Sequence, residues 1–259
     1  MKDNYLSKIG IGTSAYGSRV SPSESESIIK GLLELGVNYI DTSPLYGAGL
    51  AEKIIGKSYT ERDKIILSTK FGLGHQKKNV IVQLLIPFAR FVFNFPIIKN
   101  ILAKRNSSHI ENPLSIEEIN KSVETSLKNL NTNYLDVLFI HNKIEYYLNN
   151  KDVMNYLYNL KANGVIKKIG LTTSLTDEQT IELISQNLNT IDVIQIPLSN
   201  FHSFSSLKVE INCFSAFSQG TIDKKLIYDF LNNGNGRLIV LFKTRKNILS
   251  NLTFFNFNS

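Results

Sequence analysis

The chain alternates short apolar runs with longer segments whose apolar residues recur at helical spacing. Apolar runs end in Asp41 (VNYID), in Lys70 (KIILSTK) and in His141 (YLDVLFIH). An uninterrupted apolar run bounded by turn residues is typical of a strand that is buried on both faces, as in a parallel sheet. Capping boxes at Ser21–Glu24, Ser115–Glu118 and Thr176–Gln179 begin helices between such runs. The repeated strand–helix order therefore predicts a parallel sheet of the α/β class.

The same patterns place the individual elements. Strands are predicted at Lys8–Gly17, Val37–Ile40, Lys64–Phe71, Tyr134–Ile140, Val165–Leu171, Ile191–Ile196, Lys208–Phe217 and Arg237–Phe242. Helices are predicted from Ser21 to Gly36 and at Ala51–Tyr59, Ile116–Leu130, Asp152–Ala162, Thr176–Gln186 and Lys224–Asn232. Between Asn200 and Lys208 too few residues remain for a full crossover, which needs about a dozen or more. The sixth helix is therefore predicted to be shortened or missing.

Polar side chains follow three of these strands at their carboxyl ends, namely Asp41 with Tyr46, then Lys70, then His141. If the strands are parallel and close into a barrel, these side chains converge at the face where (β/α)₈ enzymes build their sites. In this order and placement the chain resembles the aldo-keto reductase family, whose tetrad is an Asp, a Tyr, a Lys and a His. The resemblance implies a (β/α)₈ TIM barrel. Relative to it, this chain is expected to have a shortened or missing sixth helix, an insertion after the third strand and a short C-terminus.

The four side chains suit the reduction of a carbonyl, which needs a hydride donor and a proton donor for the oxygen. A free tyrosine has a pKa of about 10 and needs a nearby cation to stabilise its phenolate. Lys70 can supply that charge, Asp41 can hold the lysine protonated, and His141 can align the carbonyl, with Tyr46 as general acid. Taken singly, each residue also has a structural explanation, such as a turn cap or packing at the barrel rim. Together they favour an active site.

The resemblance also implies a site for NADP(H), used in hydride transfer without a metal. Its expected residues are Gly12, Thr13, Asp41, Thr172, Thr173, Gln195, Phe214, Ser215, Lys243, Thr244, Arg245 and Asn251. Thr172 and Thr173 stand where the family has a Ser-Asn pair, and Phe214 where an aromatic ring stacks on the nicotinamide. The cationic and hydroxyl side chains after Phe242 favour NADP over NAD. Barrel core for Phe214 and a solvated basic turn for the last segment stay open as alternatives.

Residues 73–114 form the predicted insertion and contain the longest apolar stretch of the chain. Pro87, Arg90, Asn94 and Pro96 interrupt it, whereas a membrane-spanning helix needs about 20 predominantly apolar residues with few or no charges. A transmembrane segment is therefore not predicted. Three interpretations remain: a lid over the barrel mouth, a dimer contact, and an interfacial segment that touches a membrane.

Composition adds few constraints. The 259 residues, of which 42% are hydrophobic and 20% charged, suit a single barrel domain over 1–259. A formal charge of +7 fits anionic ligands such as nucleotides, but no nucleic-acid-binding motif is present. The only cysteine, Cys213, excludes an intrachain disulfide, and the N-terminus has no signal-peptide core, so a cytoplasmic location is expected. A monomer and a homodimer are equally compatible with the sequence.

Three functional hypotheses follow. The first is an NADP-dependent reductase of an aldehyde or ketone, whose substrate is a sugar-derived carbonyl that is phosphorylated or nucleotide-linked. The second is a redox-sensing or scaffolding barrel that binds NADPH but turns over little, which the altered sixth helix and short C-terminus motivate. The third is an eroded barrel that folds poorly.

Overall fold

Eight parallel strands close into a barrel in the computed structural model, which describes residues 5–72, 113–176, 178–217, 223–248 and Leu252. The strands follow one another around the barrel in chain order, and the last pairs with the first. They are β1 (Ile9–Gly12), β2 (Tyr39–Asp41), β3 (Ile66–Phe71), β4 (Leu135–His141), β5 (Ile166–Thr172), β6 (Val193–Pro197), β7 (Glu210–Phe214) and β8 (Leu238–Val240). The predicted α/β class and (β/α)₈ architecture are confirmed.

Helices connect the strands on the outside of the barrel. They are α1 (Pro22–Glu34), α2 (Leu50–Ser58), α3 (Ile116–Leu130), α4 (Ile144–Asn149), α5 (Lys151–Ala162), α6 (Glu178–Gln186), α7 (Phe201–Phe204) and α8 (Lys224–Asn233). Short 3₁₀ segments cover Tyr5–Lys8, Tyr46–Gly49, Arg62–Lys64, Leu198–Asn200 and Arg245–Asn247. The predicted helices are present, each within a few residues of its predicted bounds.

Two of the predicted capping boxes, those of α1 and α3, behave differently. At α3 the box is complete, because Ser115 Oγ accepts from the Glu118 N–H and the Glu118 carboxylate accepts from the Ser115 N–H at 2.9 Å. This helix therefore begins at Ile116, as the sequence predicts. At α1 only Ser21 caps, since Glu24 Oε1 instead accepts the backbone N–H of Arg245 at 2.7 Å. Glu24 thus anchors the segment after β8 rather than its own helix.

Several strands are shorter than predicted, most clearly β1, which ends at Gly12. There the backbone N–H and the hydroxyl of Thr13 both donate to the Asp41 carbonyl oxygen, and the chain leaves the sheet. The apolar residues that follow, Ala15 and Tyr16, are buried in the β1–α1 loop. A buried loop and a buried strand have the same apolar composition, which is why the sequence pattern overextends the strand.

The connection between β6 and β7 is short, as predicted. It contains the 3₁₀ turn Leu198–Asn200 and the single helical turn α7. Phe201 and Phe204 of α7 are buried, and the Phe201 ring packs edge-on against Phe230 of α8 at 5.1 Å between centroids. One turn carrying two phenylalanines therefore covers this part of the barrel.

A helix that the sequence did not predict, α4, follows β4. Its Tyr147 is buried, packs edge-on against Phe71 at 5.4 Å and accepts the backbone N–H of Leu114 at 2.7 Å. Tyr147 therefore fixes the chain where it returns from the predicted insertion. Residues 73–112 of that insertion lie outside the described residues, so the lid, dimer and membrane interpretations stay predictions. Within the described ranges, no helix is long and apolar enough to cross a bilayer.

Side chains point alternately into and out of the barrel. In its interior Val137, Phe139 and Val193 form a separate apolar cluster. Gly170 of β5 pairs with Phe139 in the parallel register. A Cβ atom on Gly170 would overlap the Phe139 ring, so the barrel interior at this level is filled only because β5 carries no side chain there.

We expect Gly170→Ala to lower the free energy of unfolding by about 1–3 kcal/mol, because the added methyl overpacks the barrel. Gly31→Ala in α1 is the matched control. A Cβ there meets its nearest atoms at 3.5 Å, an ordinary contact, and alanine should stabilise the helix by up to about 1 kcal/mol. Urea denaturation followed by circular dichroism measures both changes. A Gly170→Ala variant with an unchanged free energy of unfolding would contradict the packing described for the interior.

Candidate active site

A buried ion pair lies at the carboxyl end of the barrel. Lys70 Nζ, on β3, donates to both carboxylate oxygens of Asp41 on β2 at 2.7 and 2.6 Å, and to the Thr42 carbonyl oxygen at 2.9 Å. Both side chains are almost completely buried. Burial alone would lower the pKa of Lys70, but the Asp41 charge and the neighbouring Tyr46 outweigh it and raise this pKa. Lys70 is therefore a permanent cation at neutral pH.

Tyr46 is held next to this cation by the loop between β2 and α2. Lys70 Nζ lies 5.3 Å from the centroid of the Tyr46 ring. The following residues, Gly47–Gly49, all have positive φ angles. A Cβ on Gly47 would lie 2.6 Å from the Tyr16 carbonyl oxygen, so this position accepts only glycine. The sharp turn directs the phenol toward Lys70 while α2 runs away from the barrel.

His141 ends β4 on the same rim. Asn142 and Lys143, which follow it, both adopt left-handed φ angles, of 68° and 49°. Burial, the Lys70 charge and, in opposition, the Asp41 charge together lower the pKa of His141 to about 4. The imidazole is therefore neutral at pH 7 and can donate one N–H to a carbonyl oxygen.

One cavity of about 570 Å³ contains all four side chains. The predicted cofactor residues that also line it are Gly12, Thr13, Thr172, Gln195, Phe214, Ser215 and Lys243. They come from β1, β5, β6, β7 and the segment after β8, which the parallel register brings to the same end of the barrel. The structure thus brings together most of the site residues that the sequence predicts.

Two features of the cavity suit a nicotinamide. Gln195 is buried and its Nε2 has no hydrogen-bond partner among the described residues, so a ligand carboxamide oxygen would satisfy it. Phe214 is half-buried at the end of β7 and Ser215 has a positive φ of 62°, an unfavourable backbone conformation of the kind that clusters at ligand sites. These residues fit the group that the resemblance implies.

Other predicted residues lie elsewhere. Thr173 accepts the Leu175 backbone N–H at 3.0 Å and does not line the cavity. Thr244 is exposed outside it, and the guanidinium of Arg245 is directed toward α1, where it donates to Ser27 Oγ at 3.1 Å. The tie between Glu24 and the Arg245 backbone accounts for that direction. Asn251 lies outside the described residues.

The cavity also contains residues that sequence reasoning missed, including Ser14, Arg19, Phe217, Ile239 and Leu241. Ile239 and Leu241 alternate along the last strand and its extension, so the period-two pattern could have identified them as inward-facing. Nothing in the sequence distinguishes Arg19 from the other basic residues. Among the described residues no cluster of three or more His, Cys, Asp or Glu side chains is placed to hold a metal ion.

Comparison with known proteins identifies the family to which the sequence is related. The sequence model described as "Aldo/keto reductase family" matches residues 8–219. The chain is 31% identical over 175 residues to the aldo-keto reductase YhdN of Bacillus subtilis, covering 64% of this chain and 43% of that protein. It is 28% identical over 199 residues to an L-galactose dehydrogenase of Arabidopsis thaliana, covering 73% and 51%. The chain thus spans about half the length of the curated relatives it matches.

Solved structures show the same fold. An aldo-keto reductase from Bacillus halodurans in its holo form superposes with a TM-score of 0.69 at 18% identity, over 97% of this chain and 87% of that chain. An aldo-keto reductase from Klebsiella pneumoniae in complex with NADPH gives a TM-score of 0.67 at 15% identity, over 97% and 86%.

We expect Lys70→Met to destabilise the fold by about 3–5 kcal/mol, because it leaves the Asp41 carboxylate buried without a cation. Adding Asp41→Asn should recover part of this loss, so the two changes are not additive. Lys161→Met is the matched control: Lys161 makes the same two-oxygen contact with Asp192, at 2.8 and 2.7 Å, but in a half-exposed setting. Its cost should stay near or below about 1 kcal/mol. Denaturant titration measures Lys70→Met, Asp41→Asn, the double variant and Lys161→Met, and simple additivity of the first two would contradict the pairing.

The lowered pKa of His141 predicts an acid sensitivity. Between about pH 6.5 and pH 4 the unfolded chain takes up a proton on this histidine that the folded chain does not. The contribution of His141 to stability is therefore present above pH 6.5 and is lost as the pH falls. We expect the stability difference between wild type and His141→Gln to decrease over this range by at most about 3 kcal/mol. Parallel denaturation curves at pH 7 and 4.5 test this, and a pH-independent difference would refute it.

Proposed function

This chain belongs to the aldo/keto reductase family, and we propose that it is an oxidoreductase that reduces an aldehyde or a ketone to an alcohol with NADPH. The observation that carries the proposal is the convergence of Asp41, Tyr46, Lys70 and His141 on one cavity. A phenol beside a buried ammonium is suited to deliver a proton, and a neutral imidazole on the same wall is suited to orient an oxygen.

Each residue has a definite task in this reaction. When bound, the reduced nicotinamide supplies the hydride to the carbonyl carbon. Tyr46 donates its Oη proton to the oxygen on which negative charge develops, and Lys70 stabilises the phenolate that remains. Asp41 keeps Lys70 protonated and directed at the phenol. His141 donates an N–H to the same oxygen and aligns the carbonyl.

We propose NADP rather than NAD as the cofactor. The cavity wall carries Lys70 paired with Asp41, and two further cations, Arg19 and Lys243, whose charge suits the phosphates of a dinucleotide. Because Arg245 is directed toward α1, Lys243 and Thr244 are the better candidates for the 2′-phosphate. Asn251 remains the proposed adenine contact. The Klebsiella pneumoniae neighbour, solved with NADPH, supports this choice by analogy.

For the substrate we propose a sugar-derived carbonyl, supported by the name of the Arabidopsis thaliana relative, an L-galactose dehydrogenase. Because the cavity wall carries cations, we extend the proposed substrate class to phosphorylated or nucleotide-linked sugars. A preference for small uncharged aldehydes would count against that extension. Cys213 is buried and unpaired, which suits the proposed cytoplasmic location.

Tyr46→Phe should lower turnover by about 10²–10⁴-fold, because it removes the general acid, while leaving NADPH affinity within about threefold. NADPH oxidation at 340 nm against aldehydes, ketones and keto-sugars measures turnover, and cofactor fluorescence measures binding. Tyr158→Phe, which removes a tyrosine hydroxyl from the exposed face of α5, is the matched control and should change neither quantity.

The outcomes separate the functional hypotheses. Turnover by wild type and by Tyr158→Phe, with binding alone by Tyr46→Phe, supports the reductase. Binding by every variant with no turnover by any of them favours an NADPH-binding protein with a sensing or scaffolding role. A wild-type protein that binds no NADPH and melts without cooperativity supports an eroded barrel.

A further inference from the structure

The cavity that contains the site has an excess of positive charge. Asp41 is the only acidic side chain among the described residues that line it, and Lys70 neutralises it through contacts at 2.7 and 2.6 Å. The imidazole of His141 adds no charge at neutral pH, because its pKa is lowered to about 4. Two cations, Arg19 and Lys243, remain in the wall without a negative partner there. Such a cavity favours ligands that bring negative charge with them.

The loop between β1 and α1 presents Arg19 from a fixed backbone. The Ala15 carbonyl oxygen accepts the Ser18 N–H at 3.2 Å, the Ser18 hydroxyl at 3.0 Å and the Val20 N–H at 2.9 Å. Tyr16 and Val20 are buried, whereas Arg19 is exposed and lines the cavity. Because its neighbours in the loop are anchored, Arg19 is available to a ligand without a rearrangement of the backbone.

This loop packs against the turn that carries Tyr46. A Cβ on Gly47 would lie 2.6 Å from the Tyr16 carbonyl oxygen and 3.5 Å from Gly17 Cα. Backbones that approach so closely fix the two loops relative to each other. Arg19 follows Gly17 by two residues, which span at most about 7 Å. Arg19 therefore starts from the side of the cavity on which the Tyr46 phenol lies.

Lys243 belongs to a different segment of the cavity wall. It follows β8, and the residues after it are tied to α1, where the Arg245 N–H donates to Glu24 Oε1 at 2.7 Å and the Arg245 guanidinium donates to Ser27 Oγ at 3.1 Å. The cation after β8 thus stands where the chain passes over α1, and the cation of the β1–α1 loop stands beside the turn of the proton donor. The two cations are therefore available to two different anionic groups.

We propose that Arg19 is a specificity-determining residue that binds an anionic group of the substrate, a phosphate or a carboxylate a few bonds from the carbonyl, while Lys243 binds the cofactor. Only the kinetic consequences rest on the reductase function proposed above. A guanidinium offers two parallel N–H donors that match either anion bidentately. A substrate held by Arg19 at its anionic group and by Tyr46 and His141 at its carbonyl oxygen is fixed at two points, which aligns the carbonyl carbon for hydride transfer.

Arg19 is free to take such a group. Within the described ranges it makes no side-chain hydrogen bond or ion pair, so an incoming anion does not have to displace an internal partner. For the same reason, replacing Arg19 removes no described polar contact of the fold. Variants at this position should therefore fold like the wild type and report on binding alone.

Matched pairs of substrates test the role of Arg19 in the reductase. Glyceraldehyde 3-phosphate is compared with glyceraldehyde, and succinic semialdehyde with butanal. We expect the wild type to prefer at least one charged substrate in kcat/KM, and Arg19→Gln to reduce that preference about 10–100-fold through KM, as expected when hydrogen bonds to a charged group are lost. Arg19→Lys keeps the charge without the paired donors and should recover part of the preference. The pair that responds distinguishes a phosphate from a carboxylate.

Two further variants, together with NADPH affinity, locate the effect. Lys53→Gln removes a positive charge from an exposed side chain of α2 outside the cavity and should keep the preference. Lys243→Gln should weaken NADPH binding and also keep the preference. If Arg19→Gln weakens NADPH binding but leaves the preference, Arg19 is a cofactor ligand and the proposal is overturned. A wild type that prefers neither charged substrate overturns it as well.

Calorimetry with alcohols tests the anion site without turnover. Glycerol 3-phosphate and 4-hydroxybutyrate, the alcohols that correspond to the charged substrates, are titrated into the protein saturated with NADPH, or into the protein alone if it binds no NADPH. We expect at least one to bind, with a Kd that Arg19→Gln raises about 10–100-fold. Binding of neither alcohol, or an equal Kd in both proteins, overturns the proposal even if the enzyme is active. A raised Kd in a protein without turnover upholds the anion site and removes the reductase function instead.

Discussion

The ion pair between Lys70 and Asp41 is the constraint on which the rest of the site depends. Two charges that are almost completely buried lose their hydration, and only close mutual contact with further hydrogen bonds offsets that loss. The pair therefore tolerates little displacement of β2 relative to β3. Tyr46 follows Asp41 by five residues, and the chain turns sharply at Gly47. The position of the Tyr46 phenol therefore depends on the position of the ion pair. The lowered pKa of His141 has the Lys70 charge among its causes.

The barrel supplies the frame that makes this pair possible. In parallel strands that pair in register, every second side chain points into the barrel. This alternation buries Val137 and Phe139 in the interior and places Lys70 and His141 at the rim. Crowding of side chains in the barrel is relieved by single residues and short segments. Gly170 makes room for the Phe139 ring, and the single turn of α7 covers the barrel with two phenylalanines where a full helix has no room.

The sequence predicts the architecture well because its signals are local and agree with one another. The complete capping box fixes the start of α3, and apolar runs that end in Asp41, Lys70 and His141 identify the strands that carry these side chains. It fails where the partner of a group lies far along the chain. Glu24 has the spacing of a capping residue but bonds Arg245, 221 residues away, and this contact directs a predicted phosphate ligand toward α1.

Two hydrogen bonds below the ion pair could not be predicted for a related reason: Ser68 donates to Asp41 Oδ1 at 2.9 Å, and the Asn212 amide donates to Tyr39 Oη at 3.1 Å. Tyr39, Ser68 and Asn212 each sit in a strand whose apolar neighbours hide them, and only the closed barrel brings β7 across from β2. An ionised Asp41 can only accept, so Ser68 gives its proton to the carboxylate that Lys70 also contacts. The ion pair is thereby held in place by a serine that the apolar pattern of β3 does not distinguish from the barrel core.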